Sequence, residues 1–114
     1  MMLKNQKFKK AEFLHQHYRF MLPISNATPQ IHEFMYTIID ITGGGTLHGK
    51  SRGLWLHKNV VYDEPVRIFE VFSNITDKQA SAIIEAFLKF GRDTNQHSIA
   101  FETNGVMIIM EVEH

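Results

Sequence analysis

The sequence of 114 residues has no cysteine, three prolines and one tryptophan. Without cysteine there are no disulfides, thiolate metal ligands or thiol nucleophiles, which fits a reducing compartment. An excess of charge is missing too. Twelve Lys and Arg balance twelve Asp and Glu, so no global field draws the chain toward nucleic acid or an anionic membrane. No segment approaches the roughly 18 apolar residues of a membrane span, and the residues after the basic start "MMLKNQKFKK" are too polar for a signal-peptide core. A cytoplasmic protein with no membrane partner is therefore expected. With 44% hydrophobic residues the chain can bury a core of its own, and its length predicts a single domain over 1–114, with 1–12 as a flexible basic segment.

What the sequence does contain is clear periodicity. In "LHQHYRFMLP", Leu14, Tyr18, Phe20 and Leu22 share one side of a two-residue repeat and His15, His17, Arg19 and Met21 the other, which predicts a strand ended by Pro23. Thr28 as N-cap and Pro29 at the first helical position then open a helix. Ile31, Phe34, Met35, Ile38 and Ile41 recur at helical spacing, and Gly43 ends the pattern. From Thr46 to Trp55 or Leu56 a mostly polar segment reads as extended. It turns at His57, Lys58 and Asn59 and returns as the more apolar "VVYDEPVRIFEVFS", which predicts a hairpin. A second helix comes next, with Thr76 and Gln79 at capping-box spacing, Ala80, Ile83, Phe87 and Phe90 on one stripe, and Gly91 as the stop. In the terminal "HSIAFETNGVMIIMEV", Asn104 and Gly105 either join two short strands or kink one long one.

The order strand, helix, strand, strand, helix, strand predicts an α+β, ferredoxin-like βαββαβ fold, a four-stranded antiparallel sheet with two helices on one face. In the third strand Val66, Ile68, Glu70 and Phe72 lie on one face and Phe69 and Val71 on the other. Both faces are apolar, so a homo-oligomer that covers the second face is expected.

Several motifs bear on chemistry. "GGTLHGKS", Gly44 to Ser51, spells the phosphate-loop pattern. A helix precedes it and a strand succeeds it, so the helix N-terminus that should hold phosphates is missing. His15 and His17 share a strand face, but spacing supplies no third metal ligand, and neither a metal nor a cofactor is expected. "SRGLWLH" lacks the aromatic spacing of RNA-recognition strands, so nucleic acid is not expected as a partner. The remaining constellation is "RGLWLHKNVVYDEPVRIFE", with Trp55, Tyr62, Asp63, Glu64, Arg67 and Glu70. Pro65 holds Glu64 extended and removes a ladder donor, so this part of the hairpin is expected to project beyond the sheet. Glu70, between apolar neighbours, needs a partner such as Arg19, Lys50 or Arg52, or a wet cavity.

The run Gly53-x-Trp55, then Asp63-Glu64 leading into "VRIFEV" and a helix, resembles the phage-encoded S-adenosylmethionine-degrading enzymes over about Gly43 to Phe90. That resemblance implies a PII-like trimer with ligands held between subunits. It implies Glu64 as the catalytic glutamate, and Trp55 where the family has a tyrosine. The implied reaction is a lyase giving methylthioadenosine and homoserine lactone; the candidate substrate-binding residues in this sequence are Trp55, Tyr62, Lys50, Arg52 and Glu70. The partners expected are further copies of the chain and an adenosine-type small molecule. A non-enzymatic PII-like sensor, or a phage or bacterial interaction protein, is the competing class.

Overall fold

A computed structural model describes Lys7, residues 9–25 and residues 27–114. Much of the expected flexible segment 1–12 lies outside the described residues. The elements are β1 (Gln16–Pro23), α1 (Thr28–Thr42), β2 (Thr46–Leu47), β3 (Ser51–His57), β4 (Val60–Ser73), α2 (Asp77–Asp93), β5 (Ser98–Thr103) and β6 (Val106–Glu111). All six strands join one antiparallel sheet in the order β2-β4-β1-β5-β6, and β3 also pairs with β4.

The class is α+β, but six strands stand where four were expected. One addition comes from Asn104 and Gly105, whose φ values of 49° and 85° make a tight turn and so separate β5 from β6. The other comes from a break in the segment after α1, which splits it into β2 and β3.

The core lies on one face of the sheet, where Tyr18, Phe20 and Leu22 of β1 and Phe69 and Val71 of β4 meet both helices. Phe20, with no exposed surface, sits at its centre. Its ring lies 5.1 Å from Phe34, 5.1 Å from Phe87 and 5.6 Å from Phe101, so each helix and β5 are tied to β1 through one side chain.

The capping box at Thr76 and Gln79 forms as the spacing predicts. At α1 the N-cap is Ala27, not Thr28, and it makes no side-chain cap bond. Proline in the first turn, with its φ already helical, supports that start instead. Gly43 closes α1 in the left-handed region at φ 95°, as its position suggested. Gly91 does not stop α2, which continues to Asp93 and is capped at Thr94. Its role is space, because a Cβ there would lie 2.9 Å from Val112 and 3.2 Å from Ile99.

Spatial fit also accounts for one glycine of the phosphate-loop spelling. A Cβ on Gly45 would stand 2.5 Å from the fully buried Phe69 ring and 3.1 Å from the Glu70 carbonyl oxygen, whereas one on Gly44 meets nothing within 4 Å. Gly45→Ala is therefore expected to cost roughly 1–3 kcal/mol by overpacking. Gly44→Ala should stay within about 0.5 kcal/mol. Urea denaturation of the two variants beside the wild type measures the contrast, and equal costs would contradict it.

Candidate ligand site on the projecting hairpin

β4 is long enough to do two jobs. Its second half, from Val66, pairs with β1, while its first half pairs only with β3. The hairpin therefore runs past the body of the sheet. The molecule extends 55 Å along its long axis, with a radius of gyration of 16.0 Å, against about 13 Å for a compact chain of this length. Lys58 and Asn59, at φ 48° and 63°, form the two-residue turn that suits the twist of the strands.

The turn fixes which side chains share a face. Gly53 stands opposite Glu64, and Trp55 opposite Tyr62. Trp55 and Tyr62 stack with ring centres 6.4 Å apart and planes 14° apart. A Cβ on Gly53 would come within 3.1 Å of the indole and 3.3 Å of Val66. Glycine thus leaves room for the indole beside Glu64.

The hairpin face that carries Glu64 continues the sheet face away from the helices, because residues 62, 64, 66, 68, 70 and 72 share one side of β4. Glu64 is half-buried, and burial alone pushes its carboxyl above the usual range. Among the described residues it forms no ion pair. Trp55 and Tyr62 are 44% and 45% exposed, so the stack is open to solvent on one side.

Of the other residues expected near Glu64, Arg52 lies on the opposite face of the hairpin. It pairs there with Asp63, whose carboxyl its guanidinium holds below the usual range. Lys50 is exposed in the segment between β2 and β3 and joins no ion pair among the described residues. Glu70 is six residues along β4 from Glu64, about 20 Å at strand spacing. It does not share a pocket wall with Glu64. Arg67 donates from Nε to the His48 carbonyl oxygen at 2.9 Å.

The partners of Glu70 differ from the expected ones. His17 Nε2 lies 2.6 Å from one carboxylate oxygen and His48 Nε2 2.8 Å from the other. His48 and then His17 hold the Glu70 carboxyl below the usual range, against a smaller opposing effect of burial. Arg19, directly across from Glu70, instead meets Glu102 at 3.9 Å and keeps a buried Nε without a partner. His17 also stacks on Phe72 at 4.4 Å. Its place on the non-helical face of the first strand was visible in the sequence, but nothing there marked His48 as its counterpart. His15, expected to share a face with it, precedes β1 and is exposed. Among the described residues no group of three His, Asp or Glu is placed to hold a metal ion, and no helix is long and apolar enough to cross a membrane.

No protein-family model matches the chain, and no curated protein matches it in sequence. Its fold is similar to that of solved structures. A phage SAM lyase in complex with S-methyl-5′-thioadenosine superposes with a TM-score of 0.63 at 12% identity, covering 92% of this chain and 98% of the other. A phage SAM lyase in the apo state gives 0.63 at 11% identity, covering 96% and 98%. CutA1 from Oryza sativa gives 0.52 at 7% identity, covering 87% and 82%. The resemblance suggested by Gly53-x-Trp55 and Glu64 thus has a counterpart in the fold of nearly the whole chain.

The two glutamates have opposite expected effects on stability. For Glu64 the folded value lies above the unfolded one, so ionisation costs stability. The cost is absent below about pH 4.3, grows as pH rises between the two values and is complete above the folded one. Glu64→Gln is expected to melt above the wild type at neutral pH and level with it near pH 3. For Glu70 the folded value is depressed, so its contribution is full above about pH 4.3 and is lost as pH falls through the folded value. Glu70→Gln should melt below the wild type at neutral pH and lose less on acidification. Thermal melts from pH 3 to 8 test both, and the same sign for the two variants at pH 7 would contradict the assignment.

Proposed function

We propose that the protein is a homo-oligomer, a trimer of PII-like architecture working in the cytoplasm, that binds an adenosine-type metabolite between subunits and cleaves S-adenosylmethionine. The observation that carries this reading is the half-buried, unpaired Glu64 beside the Trp55–Tyr62 stack. A carboxylate in that state gains most from a cationic ligand, because the cation removes the cost of its burial. S-adenosylmethionine offers an ammonium, a sulfonium and an adenine ring. Aromatic faces favour both the cation and the ring. The similarity in fold to the phage SAM lyases supports the same choice.

The reaction asks the protein mainly for position. The carboxylate of the substrate attacks its own γ-carbon, a C–O bond forms and the C–S bond breaks. The bonding pair goes to the sulfonium sulfur, so neutral methylthioadenosine leaves and the lactone remains, with no water consumed. Glu64 holds the ammonium or sulfonium while the aromatic wall excludes water and holds the chain folded for attack. Glu64 itself is not the nucleophile.

The second wall is assigned to a neighbouring copy. On the non-helical face Ile68, Met21, Ala100 and Ile109 lie in one cross-strand row, and Ile109 is 71% exposed. An apolar strip of this kind is suited to cover by another protein surface. The competing reading, a sensor or interaction protein without catalysis, draws on Leu54, Leu56 and Val61, exposed on the opposite face of the hairpin.

Incubation with S-adenosylmethionine and mass spectrometry of the products should show methylthioadenosine and homoserine lactone above the uncatalysed rate. Glu64→Gln should lower the rate by about 100-fold, the scale of lost positioning. Absence of both products would rule out the lyase. The mass in solution tests the assembly separately, and a monomer at micromolar concentration would rule out a site shared between subunits.

A further inference from the structure

Between the pairs Leu47 with Phe69 and Ser51 with Val66, three residues of one strand, 48–50, face two of the other, 67–68. One extra residue makes this a β-bulge, and it shifts the alternation of sides by one. Leu47 enters the core while Gly53 and Trp55, also odd-numbered, take the opposite face with Glu64. A regular ladder cannot satisfy both placements. Extending the β2 register would set Leu56 opposite Val60 and Trp55 opposite Val61, turning the indole away from Glu64. That alternative is accessible to the chain, since residues 57–59 would then form a three-residue loop, the next commonest hairpin connection.

His48, the first residue of the bulge, spends every polar group it has bonded on β4. Its N–H donates to the Ile68 carbonyl at 2.9 Å, its carbonyl accepts from Arg67 Nε at 2.9 Å, and Nε2 lies 2.8 Å from Glu70. We infer that His48, through Glu70, is a positioning residue that holds the bulge and so keeps Trp55 on the Glu64 face of the hairpin. Neither residue touches the ligand. Their effect is on which side of β3 meets it. The clamp concerns geometry alone, so it can be tested whether or not the protein turns over S-adenosylmethionine.

The absence of cysteine allows clean crosslinking. Leu56, Val60 and Val61 are all exposed; Leu56 and Val61 face away from Glu64, and Val60 stands beyond Tyr62 beside the turn. Leu56→Cys with Val61→Cys reports the observed register, and Leu56→Cys with Val60→Cys the shifted one. In the otherwise unaltered chain the 56–61 disulfide should dominate under mild oxidation. Loss of a hydrogen bond to a charged group predicts on the order of a tenfold fall in the ratio of 56–61 to 56–60 product with His48→Ala. His48→Gln, which keeps a side-chain N–H donor, should restore most of the ratio. His17→Ala removes the other bond of Glu70 without touching the bulge and should leave the ratio unchanged, as should the fluorescence of the single tryptophan. His48→Ala should shift that fluorescence. An unchanged ratio in His48→Ala, or an equal fall in His17→Ala, would overturn the inference.

Discussion

The strict alternation of side chains along β4 is the constraint on which the rest of the molecule depends. Fourteen residues run without a break, and the pairing with β1 and β3 keeps one register throughout each contact. Phe69 and Val71 are thereby committed to the core. Tyr62, Glu64, Val66, Ile68, Glu70 and Phe72 are committed to the other side. The candidate site and the apolar row at Ile68 thus lie on one face of the sheet. Packing of Phe20 and its aromatic neighbours fixes the body of the sheet, and β4 transmits that orientation outward to Glu64.

Much of this was legible because the signals were local. The alternation in β1 is set by Tyr18, Phe20 and Leu22, and the start of α2 by Thr76 and Gln79, each within a few residues. Pro65 and the turn at Lys58 and Asn59 marked the hairpin in the same way. What escaped was register, which no local pattern encodes. Residues 46–56 are polar enough that one extra residue leaves no trace in their periodicity, so β2 and β3 read as one strand. Glu70 illustrates the consequence. Its need for a partner could be stated from sequence, yet three cations were named and two histidines answer, because the partner depends on the bulge that brings His48 across. Gly91 failed differently: at a helix end glycine usually signals a stop, and here Val112 and Ile99 approach too closely for any side chain.

The two glutamates of the exposed face show how burial and partners set apart two side chains of one type. Glu70 is held by two imidazoles and its proton affinity is lowered, so its charge is already satisfied within the protomer. Glu64 is desolvated without compensation and its proton affinity is raised. A group in that state costs stability when ionised, and a cation beside it would remove that cost. Residue type alone could not separate them, since both are glutamates of the same strand and the same face.

The hairpin carries apolar residues on both faces, and a projecting element of this kind cannot satisfy both against water. Its faces are chemically unequal. One holds Glu64 with the Trp55–Tyr62 stack, and the other holds Leu54, Leu56 and Val61 around the Arg52–Asp63 pair. The first can receive a charged, aromatic ligand. The second has its one acidic group already neutralised and suits contact with protein. A slip of one residue in β3 to the β2 register would exchange the two sets of β3 side chains, setting Arg52 opposite Glu64, Leu54 opposite Tyr62 and Leu56 opposite Val60. Register at the bulge therefore decides which set of β3 side chains shares a face with Glu64, and His17, His48 and Glu70 meet on the sheet at the base of the hairpin, where that register is set.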